Sequence, residues 1–298
     1  MHVSGLFIYP VKSLRGLAVS SVQVDPLGLA GDRRFMIVDS EGRHLTQRTL
    51  PRMALLSAEL AADTLVLRAD GTGPISVPRF PHAPAEIRTV SIWRSHDLRA
   101  DDCGQDASEW LSAFLGCRCH LVHIGEHFRR PVLQKPLPGH SLPTDASVPT
   151  IEGRVVTSDL VSFADGYPLL VTSEASLADL NDRIVEKGDE PVAMNRFRPN
   201  VVISNCAAFA EDTWPRVRIG AISLHAGGPS GRCITTTTDQ FTGARTGPEP
   251  LRTLATYRRD LRDPSDVNFG QNFVNETKSG TLRVGDPVLP EADPTSAC

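Results

Sequence analysis

The segment 227–239 places a cysteine in a setting where a thiol could bind a metal. A glycine-rich approach leads to Cys233, and four threonines follow it. Glycine lets a backbone bend and come close to a ligand. A cysteine beside Arg232, at the start of a predicted strand Cys233–Thr238, is expected to have a larger thiolate fraction, which soft metals require. The alternative is a small buried hydrophobic side chain, the commonest fate of a free cysteine.

Two arginines lie in the segment Asn195–Asn200, directly before a predicted strand Val201–Ser204. In an extended chain Arg196 and Arg198 share one face, with Phe197 on the other. Two guanidiniums on one face can converge on an anion, and arginine suits bidentate phosphate recognition. The alternative is a solvated pair of surface arginines.

Two turns in the first part of the chain also carry cations. Lys12 and Ser13 follow the predicted strand Val3–Tyr9, and Arg33 and Arg34 follow a Gly-Asp turn. Binding residues often lie on such loops at strand ends, although ordinary surface turns have the same composition.

Composition limits the classes of partner. The chain has 298 residues, 40% hydrophobic and 22% charged, as in globular proteins of one large or two modest domains. Its net charge of −4 gives no global attraction to nucleic acid or anionic lipid, so a bound anion must be held by local cations. We find no signal peptide, no apolar run of about 18 residues, and no C-x-x-C pair. These features predict a cytoplasmic protein with reduced thiols and no membrane partner.

The elements that position these residues are mainly short strands separated by turns, which indicates a barrel or sandwich. Two helices are predicted, 106–115 with Asp106 as N-cap, and Ser173–Lys187 with Ser173 or Ser176 as N-cap. A short helix Thr253–Leu261 and a closing strand pair, Asn272–Asn275 with Thr281–Val284, follow. Residues 128–150 hold five prolines and are interpreted as a loop or connector, or alternatively as an active-site flap.

Several blocks of the sequence together resemble a known family. They are YPVKSLRG, LGLAGDRRFMIVD and LTQRTLPRMALL in the first half, and LLVTSEASLADLN, NRFRPNVVIS, GRCITTTTDQFTG and FGQNFV in the second. The chain resembles a MOSC-domain protein with an N-terminal MOSC β-barrel domain, the group that includes the mitochondrial amidoxime-reducing component and bacterial relatives. The resemblance implies an α+β, mostly β fold. It places an N-terminal β-barrel domain at 1–127, a connector at 128–150, a MOSC β-barrel domain with a few helices at 151–290 and a tail at 291–298.

The resemblance also implies a set of site residues. Cys233 is expected to be the protein ligand to the metal of a molybdenum cofactor, Mo-molybdopterin. Pterin and phosphate contacts are expected from Lys12, Ser13, Arg33, Ser173, Arg198 and Asn200. Arg34 beside Arg33 leaves one residue of ambiguity. The block TTTTDQ departs from the TTVDP of many close relatives, and we expect this departure to alter the turn after the strand.

The implied activity is the molybdenum-dependent reduction of N-hydroxylated compounds, namely amidoximes, hydroxylamines and N-hydroxylated bases, by two-electron removal of oxygen. We expect an external electron-donor protein of ferredoxin, flavoprotein or cytochrome type. The alternative is a sulfur carrier in which Cys233 forms a persulfide without molybdenum. A nucleic-acid module is disfavoured by the net acidity and the lack of clustered aromatic residues.

Overall fold

A computed structural model describes residues 1–80, 85–135 and 148–292. These residues form three helices, α1 Gln105–Leu115, α2 Glu174–Val185 and α3 Leu251–Leu254. Their strands are β1 His2–Ile8, β2 Leu17–Val19, β3 Ser21–Asp25, β4 Gly28–Leu29, β5 Phe35–Asp39, β6 Ser57–Leu60, β7 Thr64–Arg68, β8 Ile75–Pro78, β9 Ile87–Ile92, β10 Ser95–Asp102, β11 Cys119–His123, β12 Pro131–Gln134, β13 Thr150–Ile151, β14 Arg154–Leu160, β15 Leu169–Ser173, β16 Val201–Ser204, β17 Arg216–Ile219, β18 Ile222–Arg232, β19 Val267–Asn275, β20 Gly280–Arg283 and β21 Val288–Glu291. The predicted mostly β, α+β fold is confirmed.

The largest sheet combines both ends of the chain in the order β2-β1-β16-β15-β19-β18-β17-β21. In it, β1 pairs antiparallel with β16, with Leu6 opposite Val201. Strand β3 pairs with β20, so the first 29 residues form their sheets largely with the second half. Val3, Leu6 and Leu29 are fully buried with the apolar side chains of that half. The predicted division at residue 127 stays a prediction, but the hydrogen-bonded sheets do not separate there.

The remainder of the first half has its own core. A four-stranded sheet, β5-β11-β10-β9, and a three-stranded sheet, β6-β7-β8, lie in this part of the chain. Helix α1 buries Leu111 and Phe114 in a cluster with Phe35 and Leu67, as its apolar spacing predicts. None of the three described helices is long and apolar enough to cross a membrane.

The predicted strand Cys233–Thr238 is wrong. Strand β18 ends at Arg232, and Ile234–Thr237 form a 3-10 turn with Cys233 as N-cap. The hydroxyls of Thr236 and Thr237 donate to the carbonyls three residues earlier, at 2.9 and 2.8 Å. Such local hydrogen bonds compete with a sheet ladder, and here they close a turn instead.

Other boundaries also differ from the predictions. Helix α1 has Gly104 as N-cap, at φ +97°, instead of Asp106, because the chain enters the helix through a conformation that favours glycine. The predicted helix Thr253–Leu261 is wrong, since α3 covers only Leu251–Leu254. The predicted pairing of the last strands is also wrong, since β20 pairs with β3 and β19 with β15 and β18.

The proline-rich region predicted as a loop contains a strand. Strand β12 pairs antiparallel with β14, with Leu133 opposite Val156. Pro131 begins β12, a position where its missing N–H group is tolerated. The rest of the predicted connector, residues 136–147, and the tail from 293 to 298 lie outside the described residues.

Candidate functional site

A cavity of about 470 Å³ brings together residues from both halves of the chain. Its volume is typical of small-molecule sites. Six of the seven residues predicted from the sequence line this cavity, namely Lys12, Ser13, Arg33, Arg198, Asn200 and Cys233. The turns at the ends of β1, β4, β16 and β18 therefore meet around one space, as the position of their cations predicted.

The seventh predicted residue, Ser173, has a different place. Its side chain is fully buried at the N-cap of α2, where Oγ accepts a hydrogen bond from the backbone N of Ser176 at 3.1 Å. Its hydroxyl also lies 2.7 Å from that of Ser176. Ser173 is not among the cavity-lining residues, and the contacts of its side chain stabilise a helix end.

Arg33 and Arg34 point to different parts of the molecule. Arg33 lines the cavity, whereas the guanidinium of Arg34 binds both carboxylate oxygens of Asp25 at 2.7 Å. Arg34 is buried among the N-terminal strands and its charge is balanced there. The ambiguity between the two arginines therefore resolves geometrically in favour of Arg33 as the cavity residue.

Strand β18 delivers Cys233 to the cavity wall. The pairing of β18 with β19 is interrupted by two register shifts, at 226–228 and 229–231, and such bulges re-aim a strand near its end. The Cys233 side chain is only partly buried, and its sulfur lies 3.4 Å from Oγ1 of Thr235. The neighbouring Arg232 donates to the carbonyl of Phe197 at 2.7 Å. Cys233 is thus not a buried hydrophobic side chain but a thiol in a polar cavity.

The cavity is strongly cationic. Ten lysine and arginine side chains line it, against two carboxylates, on a chain whose net charge is −4. Burial lowers the pKa of Lys12 to about 8, and those of Arg130 and Arg198 to about 10. Burying cations without enough counter-charge is costly, so the arrangement favours an anionic ligand. The ten cations are Lys12, Arg33, Arg48, Arg94, Arg130, Lys135, Arg154, Arg198, Arg232 and Arg262.

Tyr9 and Asn200 hold two of these cations in place. The guanidinium carbons of Arg33 and Arg198 lie 4.2 and 4.3 Å from the centre of the Tyr9 ring. Arg33 also donates to Oδ1 of Asn200 at 3.0 Å, and Nδ2 of Asn200 donates to the carbonyl of Phe7. Asn200 therefore fixes the position of Arg33 and ties it to the end of β1.

Backbone strain accumulates around the cavity. Ser13, Arg33, Trp93 and Arg198 all line it, and their φ angles are +67°, +49°, +51° and +57°. A positive φ is uncommon for residues other than glycine and persists where the surroundings enforce it, which is frequent at functional sites. This feature supports the view that these turns are shaped for a ligand.

Asp165 is the main cavity residue that the sequence did not reveal. Its carboxylate pairs with Lys12 and accepts from Nε1 of Trp93 at 3.1 Å. Desolvation within the cavity acts to raise the pKa of Asp165, but the charge and hydrogen bond of Lys12, together with Trp93 and Arg33, hold that pKa well below its usual range. The guanidinium of the buried Arg130 donates to the carbonyls of Ser162 at 2.8 Å and Asp165 at 2.9 Å. The only sequence signal was an irregular FADGYP turn before β15.

The protein side chains do not form a complete metal site. In the part of the chain that the structure describes, no three His, Cys, Asp or Glu residues are grouped to hold a metal ion. A single thiolate does not bind a soft metal firmly by itself. A metal at Cys233 must therefore arrive with ligands of its own, and the surrounding cations suit a carrier with negative charge.

Comparison with known proteins identifies both halves of the chain. Residues 1–118 match the MOSC N-terminal beta barrel domain, and residues 159–289 match the MOSC domain. The mitochondrial amidoxime-reducing component 1 of Mus musculus is 38% identical, covering 96% of this chain and 81% of the mouse protein. The component 1 of Homo sapiens is also 38% identical, covering 96% and 82%. Component 2 of Bos taurus is 33% identical, covering 96% and 82%.

The names of these relatives correct one prediction. The cytoplasmic location expected from the sequence is wrong, because these relatives, matched along 96% of the chain, are mitochondrial by name. Composition and thiol usage do not distinguish one reducing compartment from another, so they were a weak guide. The two domain matches and the identity over most of its length show that the chain belongs to the family of the amidoxime-reducing components, which join a MOSC N-terminal beta barrel domain to a MOSC domain.

Proposed function

We propose that this protein is a molybdenum-cofactor-dependent reductase of N-hydroxylated compounds, with Cys233 as the protein ligand to the metal. The observation that carries the proposal is a partly exposed cysteine in a cavity lined by ten cationic side chains. The names of the relatives, which describe the reduction of amidoximes, support the reaction class. The substrates proposed are small amidoximes, hydroxylamines and N-hydroxylated bases.

The residues present fit a phosphate-bearing pterin cofactor. Lys12, Arg33 and Arg198 provide the cations that its phosphate needs, and Ser13 adds a hydroxyl beside them. Asn200 would act by holding Arg33, with which it shares a hydrogen bond of 3.0 Å. When bound, such a cofactor supplies a metal that takes up and returns electron pairs.

Asp165 is suited to hold a proton near the reacting group. An anion that binds Lys12 competes with Asp165 for the ammonium, because the two side chains now form an ion pair. Without that pairing, Asp165 loses the main influence that lowers its pKa, and the pKa rises. Its Oδ1, already within 3.1 Å of the indole nitrogen of Trp93, is then a place where a proton can be carried.

Removal of oxygen from an N–OH group as water consumes two electrons and two protons. The electrons require a partner, and we propose an external donor protein of ferredoxin, flavoprotein or cytochrome type. The second candidate function, a persulfide sulfur carrier, uses the same partly exposed Cys233 beside Arg232 and needs no metal. The two functions predict different metal contents.

The decisive experiment compares Cys233→Ala with Cys117→Ala, a partly buried cysteine that packs in the N-terminal core. We expect about one molybdenum per chain in the wild type and in Cys117→Ala, with reduction of benzamidoxime by a reduced artificial donor. In Cys233→Ala we expect the rate to fall by more than about 100-fold, because the metal loses its only protein ligand.

Unchanged metal content and an unchanged rate in Cys233→Ala would remove the assignment. A wild-type protein that binds no molybdenum when the cofactor is supplied, and that carries a persulfide on Cys233 by mass spectrometry, would establish the sulfur carrier instead.

A further inference from the structure

The cationic lining of the cavity contains two clusters of interacting charges. Arg33 is among the charges that act on each of Lys12, Arg198 and Arg232, and Asp165 is the carboxylate they share. The charges that act on Arg154 are instead those of Arg94, Arg262 and Asp266. The second cluster, Arg94, Arg154 and Arg262, we call the outer cations.

Arg154 is the outer cation that pairs with no carboxylate of the described residues. Arg94 pairs with Glu152 at 2.7 Å, and Arg262 pairs with Asp260 at 3.1 Å. Among the described residues no carboxylate lies within 4 Å of the Arg154 guanidinium, which donates only to the carbonyl of Leu133 at 3.4 Å. Burial lowers the pKa of Arg154, and the positive charge of Arg94 lowers it further.

Two of the outer cations, Arg154 and Arg262, act on a tyrosine that packs against β18, the strand that leads to Cys233. The Tyr167 ring packs against Gly227 in β18, where a Cβ atom would lie 2.3 Å from it, and the charges of Arg154 and Arg262 act on the Tyr167 hydroxyl. Asp266 lies beside Gly231, within 3.6 Å of where its Cβ would be. The outer cations and Cys233 line the same cavity of about 470 Å³, so one small molecule can contact both.

We propose that Arg154, flanked by Arg94 and Arg262, is a subsite for a negatively charged group of the substrate, a carboxylate or a phosphate, while the N–OH group of the same molecule faces Cys233. The subsite rests on the proposed reductase function and gives it a preference for anionic N-hydroxylated compounds. A guanidinium that lacks a carboxylate and is flanked by two others binds such a group with charge-assisted hydrogen bonds and relieves the repulsion between the cations.

The test uses two substrates of nearly equal shape, 4-carboxybenzamidoxime, which is an anion, and its neutral 4-carboxamide analogue. The measured quantity is the ratio of their kcat/KM values in the molybdenum-loaded protein. We expect Arg154→Gln to lower this ratio about tenfold, mainly through the KM of the anion. The matched control is Arg68→Gln, an exposed arginine of β7 that pairs with Glu59 outside the cavity, and it should leave the ratio unchanged.

A second measurement needs no activity. Binding of 4-carboxybenzamide to the cofactor-loaded protein, followed by calorimetry, should weaken in Arg154→Gln and not in Arg68→Gln. An unchanged kcat/KM ratio together with unchanged binding overturns the subsite. Failure of the proposed function is a different result, because then neither benzamidoxime is reduced by the wild type. A further outcome is an unchanged kcat/KM ratio with a nucleotide on the pterin extracted from the protein. Arg154 then binds the phosphate of the cofactor and not the substrate, which also overturns the proposal.

Discussion

Lys12 lines the cavity, and its pKa lies close to neutral pH. It is 4% exposed, and burial lowers its pKa to about 8 although Asp165 lies beside it. Below about pH 8 Lys12 is charged in both the folded and the unfolded protein, and burial of this charge lowers the free energy of unfolding. This cost declines as the pH rises from about 8 toward the ordinary value of 10.5, because the folded protein then holds Lys12 neutral. A bound anion reverses the balance, since it stabilises the ammonium.

The affinity of the cofactor-free protein for a divalent anion should therefore depend on pH through Lys12. Sulfate is the suitable probe because its own charge is constant above neutrality. Between pH 7 and pH 9 we expect its dissociation constant to rise about tenfold, because Lys12 passes from mostly charged to mostly neutral. Tyr9, whose pKa burial raises to about 12, does not titrate in this window. Isothermal calorimetry at the two pH values measures the change.

Lys12→Met should bind sulfate weakly and with little pH dependence over the same interval. The control Lys278→Met removes a lysine that pairs with Asp159 on the surface, at 2.8 Å, and should titrate like the wild type. If Lys12→Met kept the full pH dependence, another group would be responsible and the balance described for Lys12 would be wrong.

At the scale of single elements, α2 provides the clearest test of a residue assignment. The resemblance placed Ser173 at the cofactor, whereas its hydroxyl caps α2 and contacts Ser176, which in turn donates to Glu211 at 2.8 Å. We expect Ser173→Ala to cost about 1–2 kcal/mol of unfolding free energy, measured in urea. Ser21→Ala, at the exposed start of β3, should cost less than about 0.5 kcal/mol.

Molybdenum content separates the two roles of Ser173. If Ser173 only caps α2, its truncation lowers the stability of the protein and leaves the molybdenum content of the loaded protein near that of the wild type. A variant of normal stability that no longer retains molybdenum would instead show that Ser173 contacts the cofactor.

Elements with strong periodicity were predictable from the sequence, and those set by tertiary pairing were not. Helix α2 and strand β16 follow from capping and apolar pattern. The threonine run after Cys233 has the composition of a strand, but its hydroxyls close a turn, an outcome that propensity alone does not distinguish. The position of Asp165 in the cavity depends on contacts that are distant in sequence, among them the hydrogen bonds from Arg130 to the carbonyls of Ser162 and Asp165, and no local pattern records such contacts.

At the scale of the whole molecule, charge is distributed unevenly, with positive charge in the cavity and net negative charge outside it. An overall charge of −4 coexists with a cavity whose lining holds ten cations and two carboxylates, so the surface outside the cavity is acidic on balance. A focused positive field attracts anions into the cavity while the exterior repels polyanions. This arrangement suits a small anionic cofactor and substrate better than a nucleic acid.

The first strand makes the two halves depend on each other for stability. Leu6 of β1 is 1% exposed within a core formed mostly by strands of the second half, whereas the fully buried Leu67 of β7 lies in the core of the first half. Truncation of either leucine to alanine leaves a cavity, which costs about 2–5 kcal/mol. Because β1 also leads directly into the turn that carries Lys12, loss of its packing should lower the stability of both halves.

Hydrogen exchange during urea titration tests this coupling. We expect the amides of β11 and β16 to lose protection at the same urea concentration in the wild type, and Leu6→Ala and Leu67→Ala each to lower that concentration for both strands. Leu6→Ala lowering protection in β16 while β11 stayed unchanged would show that the halves unfold independently. Addition of sulfate should raise both midpoints together, because its binding site is built from residues of both halves and exists only while the two are folded against each other.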